Sequence, residues 1–225
     1  MAEHTKIIEF FGLPGCGKTT LCTNLKNNAE EKGYMAGLIN GISKVCTIRH
    51  ILSVLSLGDI PLLVKWCIIV LRNNHRINSL LIISPYKRLL IYRCIMAYSD
   101  FDYVFIEHGV VQSIVSALYG SQKPYSILES RICETLLANT KVAMFMYCEV
   151  SSETSLKRIK ERNRRGYGRF DQMEEESLLT ILNAQHHYFN KLLLKLEKLQ
   201  LRSESINNSC GIEEVVNRAR KSIGI

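Results

Sequence analysis

Apolar positions in this chain fall into two kinds of run. Four are short and nearly unbroken: Lys6 to Gly12, Tyr34 to Asn40, Asp102 to Glu107 and Lys141 to Cys148. Runs of this length without polar alternation suit strands buried on both faces of a parallel sheet. Elsewhere the apolar residues recur at helical spacing. Leu21 and Leu25 open one helix, which Gly33 stops. Residues 44–98 read as helical, with breaks at Gly58 to Pro61 and at Ser84-Pro85. Further helices are predicted from Ser152 to about Arg164, from about Glu174 to Leu199 and from Ile212 to Ile223, with a weak fifth strand from Leu199 to Ile206. Strands alternating with helices give an α/β three-layer domain with a five-stranded, mostly parallel sheet. The stretch 44–98 is too long for a simple crossover and is read as a helical insertion over one sheet edge.

Composition narrows this to one globular domain over residues 1–225, because 47% hydrophobic and 22% charged residues leave little room for disorder. The eight cysteines, at 16, 22, 46, 67, 94, 133, 148 and 210, form no CxxC pair. With no secretory signal at the amino terminus, they read as core-filling thiols of a reducing cytoplasm. Ile51 to Leu71 is the most apolar stretch, but Asp59, Pro61 and Lys65 interrupt it, so no transmembrane segment is expected. The net charge of +8 is unevenly placed: residues 44–98 carry +7 and residues 157–169 carry +6, which leaves −5 for the rest. Two basic segments on an acidic body point to anionic ligands at two places.

Gly12-Leu-Pro-Gly-Cys-Gly-Lys18-Thr19 matches G-x-x-x-x-G-K-[ST], the phosphate-binding loop, and lies where a strand should become a helix. Gly12 and Gly17 let main-chain N–H groups wrap around phosphate oxygens, and Gly15 tightens the turn. Lys18 reaches the β- and γ-phosphates, the Thr19 hydroxyl suits Mg²⁺, and Cys16 and Thr20 belong to the same nucleotide cradle. Cys16 has a second reading as a reactive thiol, since helix amino termini lower thiol pKa. Its plainer role is small-residue packing.

The segment resembles P-loop kinases, and the order of motifs resembles the thymidylate kinase and nucleoside monophosphate kinase group. That order is a phosphate loop, a helical acceptor-binding insertion (44–98), an acid after the third strand and an arginine-rich lid (157–171). The resemblance is specific at 7–25, fair at 102–113 and 156–190, and only positional over 44–98. It implies that Glu107, ending the third strand, is the catalytic acid or a Mg²⁺ partner, with His108 where relatives carry arginine. Gln112 and Ser113 follow close enough to touch substrate. Arg158 and Arg162, four apart on one helical face, resemble an Arg-Ile-x-x-Arg pair whose first arginine packs on adenine and whose second reaches phosphate. Arg169-Phe-Asp171 is similar to the Arg-Phe-Glu that closes a kinase lid, with Gly166-Tyr-Gly168 as its hinge.

The function implied is transfer of the γ-phosphate of ATP, with Mg²⁺, to a small anionic acceptor such as a nucleotide or sugar phosphate. Lys18, Glu107, Arg162 and Arg169 are the catalytic set. The competing readings are a nucleotide-dependent switch binding a protein, and a nucleic-acid or membrane-surface binder. The arginine-rich lid speaks against the first, and the lack of a clean basic amphipathic helix against the second, so nucleic acid is not expected as a partner. A homodimer is compatible with the reading. His186-His187 lacks a third ligand at metal spacing, and Glu9 is unexpected inside an apolar strand.

Overall fold

The computed structural model of the protein describes residues 5–39, 48–56, 58–73, 79–119, 121, 123–162, 170, 172–208 and 211–225. Its strands are β1 (Lys6–Phe11), β2 (Ala36–Ile39), β3 (Tyr103–Ile106), β4 (Met144–Glu149) and β5 (Ser203–Asn207). They form one sheet in the order β2-β3-β1-β4-β5, and every pairing is parallel. The unbroken apolar runs have this cause: β1 and β3 are interior strands, and Ile7, Phe10, Phe11, Val104 and Phe105 are fully buried. At the edge, β5 pairs on one side only, and its Ser203, Glu204 and Ser205 are half-buried, which explains the weak sequence signal. Phe11 stacks on Tyr147 at 5.2 Å and meets Phe189 at 5.8 Å, pinning a long helix to the sheet.

Among the described residues the helices are α1 (Lys18–Glu31), α2 (Ile48–Val54), α3 (Asp59–Asn73), α4 (Ser79–Tyr98), α5 (Val110–Ala117), α6 (Pro124–Leu128), α7 (Arg131–Ala138), α8 (Ser152–Glu161), α9 (Glu175–Lys198) and α10 (Ile212–Ile223). The break expected at Gly58 to Pro61 exists, because α2 ends at Val54 and Asp59 opens α3, its carboxylate accepting from the Ser56 N–H at 2.7 Å. The break expected at Ser84-Pro85 does not: α4 runs straight through Pro85. A proline cannot donate to the preceding turn, which disturbs the carbonyls there. The Trp66 indole N–H of α3 donates to the Ile82 carbonyl at 2.6 Å and braces that turn from outside the helix. Trp66 is fully buried, as its apolar neighbourhood predicts. No helix among the described residues is long and apolar enough to cross a membrane.

The insertion's charge is partly internal. Arg93 of α4 pairs with the buried Asp59 carboxylate at 2.5 Å, so it ties α4 to α3. Arg93 therefore drops out of the basic set available to a ligand. Lys44 and Arg76 lie outside the described residues, Arg72 is exposed, and Arg88 is half-buried on α4.

Glu9 has an explanation that periodicity could not give. It is fully buried in β1, where Oε1 accepts the Val111 N–H at 2.7 Å and Oε2 accepts the Tyr92 hydroxyl at 2.8 Å. The Tyr92 oxygen in turn accepts the Val110 N–H at 3.1 Å. One carboxyl thus joins β1, the insertion helix α4 and the amino terminus of α5. A Cβ on Gly109 would lie 2.0 Å from the Tyr92 oxygen and 2.2 Å from Glu9 Cδ, so only glycine fits there. Burial pushes the Glu9 carboxyl up to about 7, against the lowering effect of its hydrogen bonds. A folded pKa above the unfolded value means that the native state holds the extra proton, so stability falls as pH rises toward and through about 7. Between pH 6 and pH 8 the loss is about 1 kcal/mol, which should lower the melting temperature by roughly 2–4 °C. Thermal unfolding of wild type and Glu9→Gln across this range checks it: the pH slope should be smaller in the variant, and equal slopes would contradict the assignment.

Candidate functional site

The phosphate-loop sequence folds as a tight turn between β1 and α1. Gly12, Gly15 and Gly17 have φ of +147°, +82° and +88°, a region that side chains rarely tolerate. At Gly12 space is also limiting, since a Cβ would come within 2.5 Å of the Cys148 carbonyl oxygen. Gly17 caps α1 without a side-chain hydrogen bond, which leaves the first N–H groups of the helix open to an external acceptor. Lys18 is only 7% exposed, and its Nζ donates to the Gly12 and Leu13 carbonyls at 2.9 Å each and to Cys16 Sγ at 3.2 Å. The ammonium is therefore held at the loop's own rim.

Neighbouring elements hold the loop from three sides. From α8, the Ser155 hydroxyl donates to the Pro14 carbonyl and Arg158 donates to the Gly15 carbonyl at 3.4 Å. Beyond β5, the Asn208 side-chain amide donates to the Cys16 carbonyl, and the Asn208 carbonyl accepts from Arg158 at 3.0 Å. From α5, Gln112 Oε1 accepts the Gly12 N–H at 3.3 Å. Ser155 and Asn208 are absent from the sequence-based set. Neither belongs to a phosphate-loop spacing, and Asn208 comes 192 residues after the carbonyl it binds.

Across the loop's mouth stands Glu107, at the carboxyl edge of β3. The Thr19 hydroxyl donates to Glu107 Oε2 at 2.5 Å, which brings the two oxygen ligands expected for Mg²⁺ together. Glu107 is 4% exposed, and its Oε1 is buried with no hydrogen-bond partner. An orphaned carboxylate oxygen beside a hydroxyl is a hard, anionic donor set that fits Mg²⁺, an ion that takes few protein ligands and keeps substrate and water as the others. No group of three or more His, Cys, Asp or Glu among the described residues could hold a metal by itself. Desolvation of the His108 ring, together with the nearby Lys18 charge, keeps His108 below its usual pKa. It is thus a neutral ring at pH 7 and no standing replacement for an arginine.

Two clefts open around the loop. One, of about 550 Å³, is lined by Gly15, Thr20, Arg158, Arg162, Asn208 and Ile212. The other, of about 360 Å³, is lined by Pro14, Lys18, Thr19, Glu107, His108 and Arg162. Gly15, Gly17, Thr20 and Arg162 border both. Arg162 follows the last turn of α8 and is exposed, so the helix expected to reach Arg164 is shorter among the described residues. The structure brings together Gly12, Gly15, Cys16, Gly17, Lys18, Thr19, Thr20, Glu107, Arg158 and Arg162. Arg164, Arg165, the Gly166-Tyr-Gly168 segment and Arg169 lie outside the described residues. His186 and His187 lie on α9 and face Tyr147 and Tyr125.

The molecule's shape has known counterparts. Three solved structures of deoxyadenosine kinase from M. mycoides, with bound dATP, with bound dCTP, and with dCMP and dCDP, superpose with TM-scores of 0.53, 0.54 and 0.51. Each match covers 97% of this chain and 98–100% of the kinase, at 14–15% identity. The fold is that of P-loop nucleoside kinases. At this identity the likeness speaks for the fold alone. No family model matches the chain, and no curated protein does.

Proposed function

We propose that this P-loop protein is an ATP- and Mg²⁺-dependent phosphotransferase of the nucleoside-kinase type. The observation that carries the reading is the Thr19–Glu107 pair at 2.5 Å, with the second Glu107 oxygen buried and unpartnered at the mouth of a glycine loop. A structural surface acid has no reason to be buried there. In this reading the loop N–H groups and Lys18 bind the phosphates, and Lys18 exchanges the Gly12 and Leu13 carbonyls for phosphate oxygens. The larger cleft takes the base against Arg158 and Ile212, while Arg162, bordering both clefts, neutralises charge on the transferred group. Thr19 and Glu107 would hold Mg²⁺, which supplies charge neutralisation at the phosphates. Glu107 Oε1 is available to accept the proton of the acceptor hydroxyl. The lid residues, with Arg169, would close over the nucleotide.

The acceptor is proposed to be a nucleoside or nucleoside monophosphate under the 44–98 insertion. The bound nucleotides of the structurally similar deoxyadenosine kinases support this class. The insertion charge argues less strongly for an acceptor phosphate than the sequence suggests, because Arg93 is committed to Asp59. Arg88 is the better candidate for an acceptor contact, since its charge reaches both His108 and Tyr92. Arg158→Ala should raise the KM for ATP with any acceptor, and Arg88→Ala should raise the acceptor KM while leaving that for ATP nearly alone. Steady-state kinetics with each substrate varied will read this, and an Arg88→Ala effect confined to ATP would remove Arg88 from the acceptor side. The reading as a whole is tested by incubating the protein with ATP, Mg²⁺ and a panel of nucleosides, nucleoside monophosphates and sugar phosphates. Mass spectrometry should find one class gaining a phosphoryl group. ATP consumption with no phosphorylated product would point to an ATPase instead.

A further inference from the structure

A third cleft, of about 340 Å³, opens between the carboxyl end of α5 and helix α9, and it shares no lining residue with the two clefts at the phosphate loop. Ile181, Ala184, Gln185 and Tyr188 recur at helical spacing, so one face of α9 forms one wall. Val115 and Leu118, both buried, form the facing wall. Ala184 is the smallest side chain on its face, which leaves room between the helices. The Tyr125 ring of α6 meets Tyr188 edge-on at 6.0 Å and holds that end of the wall in place. No Lys, Arg, His, Asp or Glu among the described residues borders the cleft. Its polar side chains differ in how far they are committed. The Ser121 hydroxyl donates to the Asn73 carbonyl at 3.1 Å, and the Thr180 hydroxyl donates to the Glu176 carbonyl at 2.9 Å. Gln185 is only 7% exposed, yet its Oε1 is buried with no hydrogen-bond partner. An unpaired amide oxygen in a protein interior is costly and rare, so this atom calls for a donor. The terminal torsion of a glutamine is broad, which lets the oxygen turn toward a donor that enters the cleft.

We propose that this cleft binds a small uncharged molecule of one or two planar rings with a hydrogen-bond donor, held by Gln185 Oε1. The volume lies at the lower end of the roughly 300–1,000 Å³ range of ligand cavities, so the ligand is small. Without a lining cation, a phosphate or carboxylate would lose its water with no counter-charge in return, which rules out nucleotides as occupants. Tyr119, Tyr188 and the aliphatic wall suit a flat apolar body, since aromatic rings pack edge-on or offset against one another. Gln185 supplies the selection: a ring of the same shape that lacks the donor leaves the buried oxygen unpaired. The ligand would touch α9 and also α5, the helix whose Gln112 accepts the Gly12 N–H, yet the site is separate from the phosphate loop. It does not depend on that loop binding nucleotide.

Two probes of nearly the same shape test this on the full chain: indole, which carries one N–H donor, and benzothiophene, which carries none. Their dissociation constants should be read by ligand-observed NMR titration. Wild type should bind indole about tenfold more tightly than benzothiophene, the effect expected of one hydrogen bond to an otherwise unpaired buried acceptor. Gln185→Met keeps the length of the side chain and removes the acceptor, so the two affinities should come within about twofold of each other. Ala184→Trp fills the cleft from a half-buried position on α9 and should abolish binding of both probes with circular dichroism unchanged. A saturating non-hydrolysable ATP analogue should displace neither. Equal affinities in wild type, or a preference for indole that survives in Gln185→Met, would overturn the role of Gln185. Failure of both probes to bind wild type, binding that survives Ala184→Trp, or displacement by the ATP analogue would overturn the site. If Gln185→Met does not fold, the wild-type comparison and Ala184→Trp still decide.

Discussion

Lys18→Ala is expected to reduce phosphotransfer by about a thousandfold or more, the scale seen when a positioned charge is removed from a developing phosphoryl transition state. Its side chain is buried, but Nζ bonds to the loop's own Gly12 and Leu13 carbonyls and to Cys16 sulfur. Circular dichroism and the unfolding transition should therefore stay close to wild type. The experiment needs both readings on one preparation, because loss of activity with loss of fold says nothing about the site. Turnover near the wild-type rate would remove Lys18 from the chemistry.

Glu107→Gln should slow the chemical step by at least about a hundredfold. The amide keeps the size of the side chain and can still accept from Thr19, so packing at the end of β3 is conserved. What it loses is the negative charge that fits a metal and the free Oε1 that fits a proton. Single-turnover rates with saturating ATP isolate this step from binding, which should change less. A rate within threefold of wild type would place the catalytic acid on another residue.

Much of this arrangement was legible in the chain because its cause is local. The G-x-x-x-x-G-K-T spacing fixes a turn in which three glycines carry positive φ, and the continuous apolar runs report strands covered on both faces. Glu107 was legible for the same reason, since it ends such a run. Contacts across the sheet were not. The tie from Asn208 to the loop joins residues 192 positions apart, and Glu9 is satisfied by Tyr92 from 83 positions away. Neither leaves a local pattern. Two expectations also failed for physical reasons. Pro85 reads as a helix stop, but Trp66 supplies a donor to its disturbed turn, and Arg93 reads as a ligand base, but Asp59 on the next helix takes it.

In the proposed reaction the glycine loop, Lys18, Thr19 and Glu107 transfer a phosphoryl group rather than merely bind or hydrolyse a nucleotide. Following the fate of the label from γ-³²P-ATP, with Mg²⁺ and the acceptor panel present, tests it directly. Wild type should pass label to a nucleoside-class acceptor well above the rate of release as inorganic phosphate, and Glu107→Gln should pass almost none. Label recovered only as inorganic phosphate, or transfer undiminished in Glu107→Gln, would contradict it.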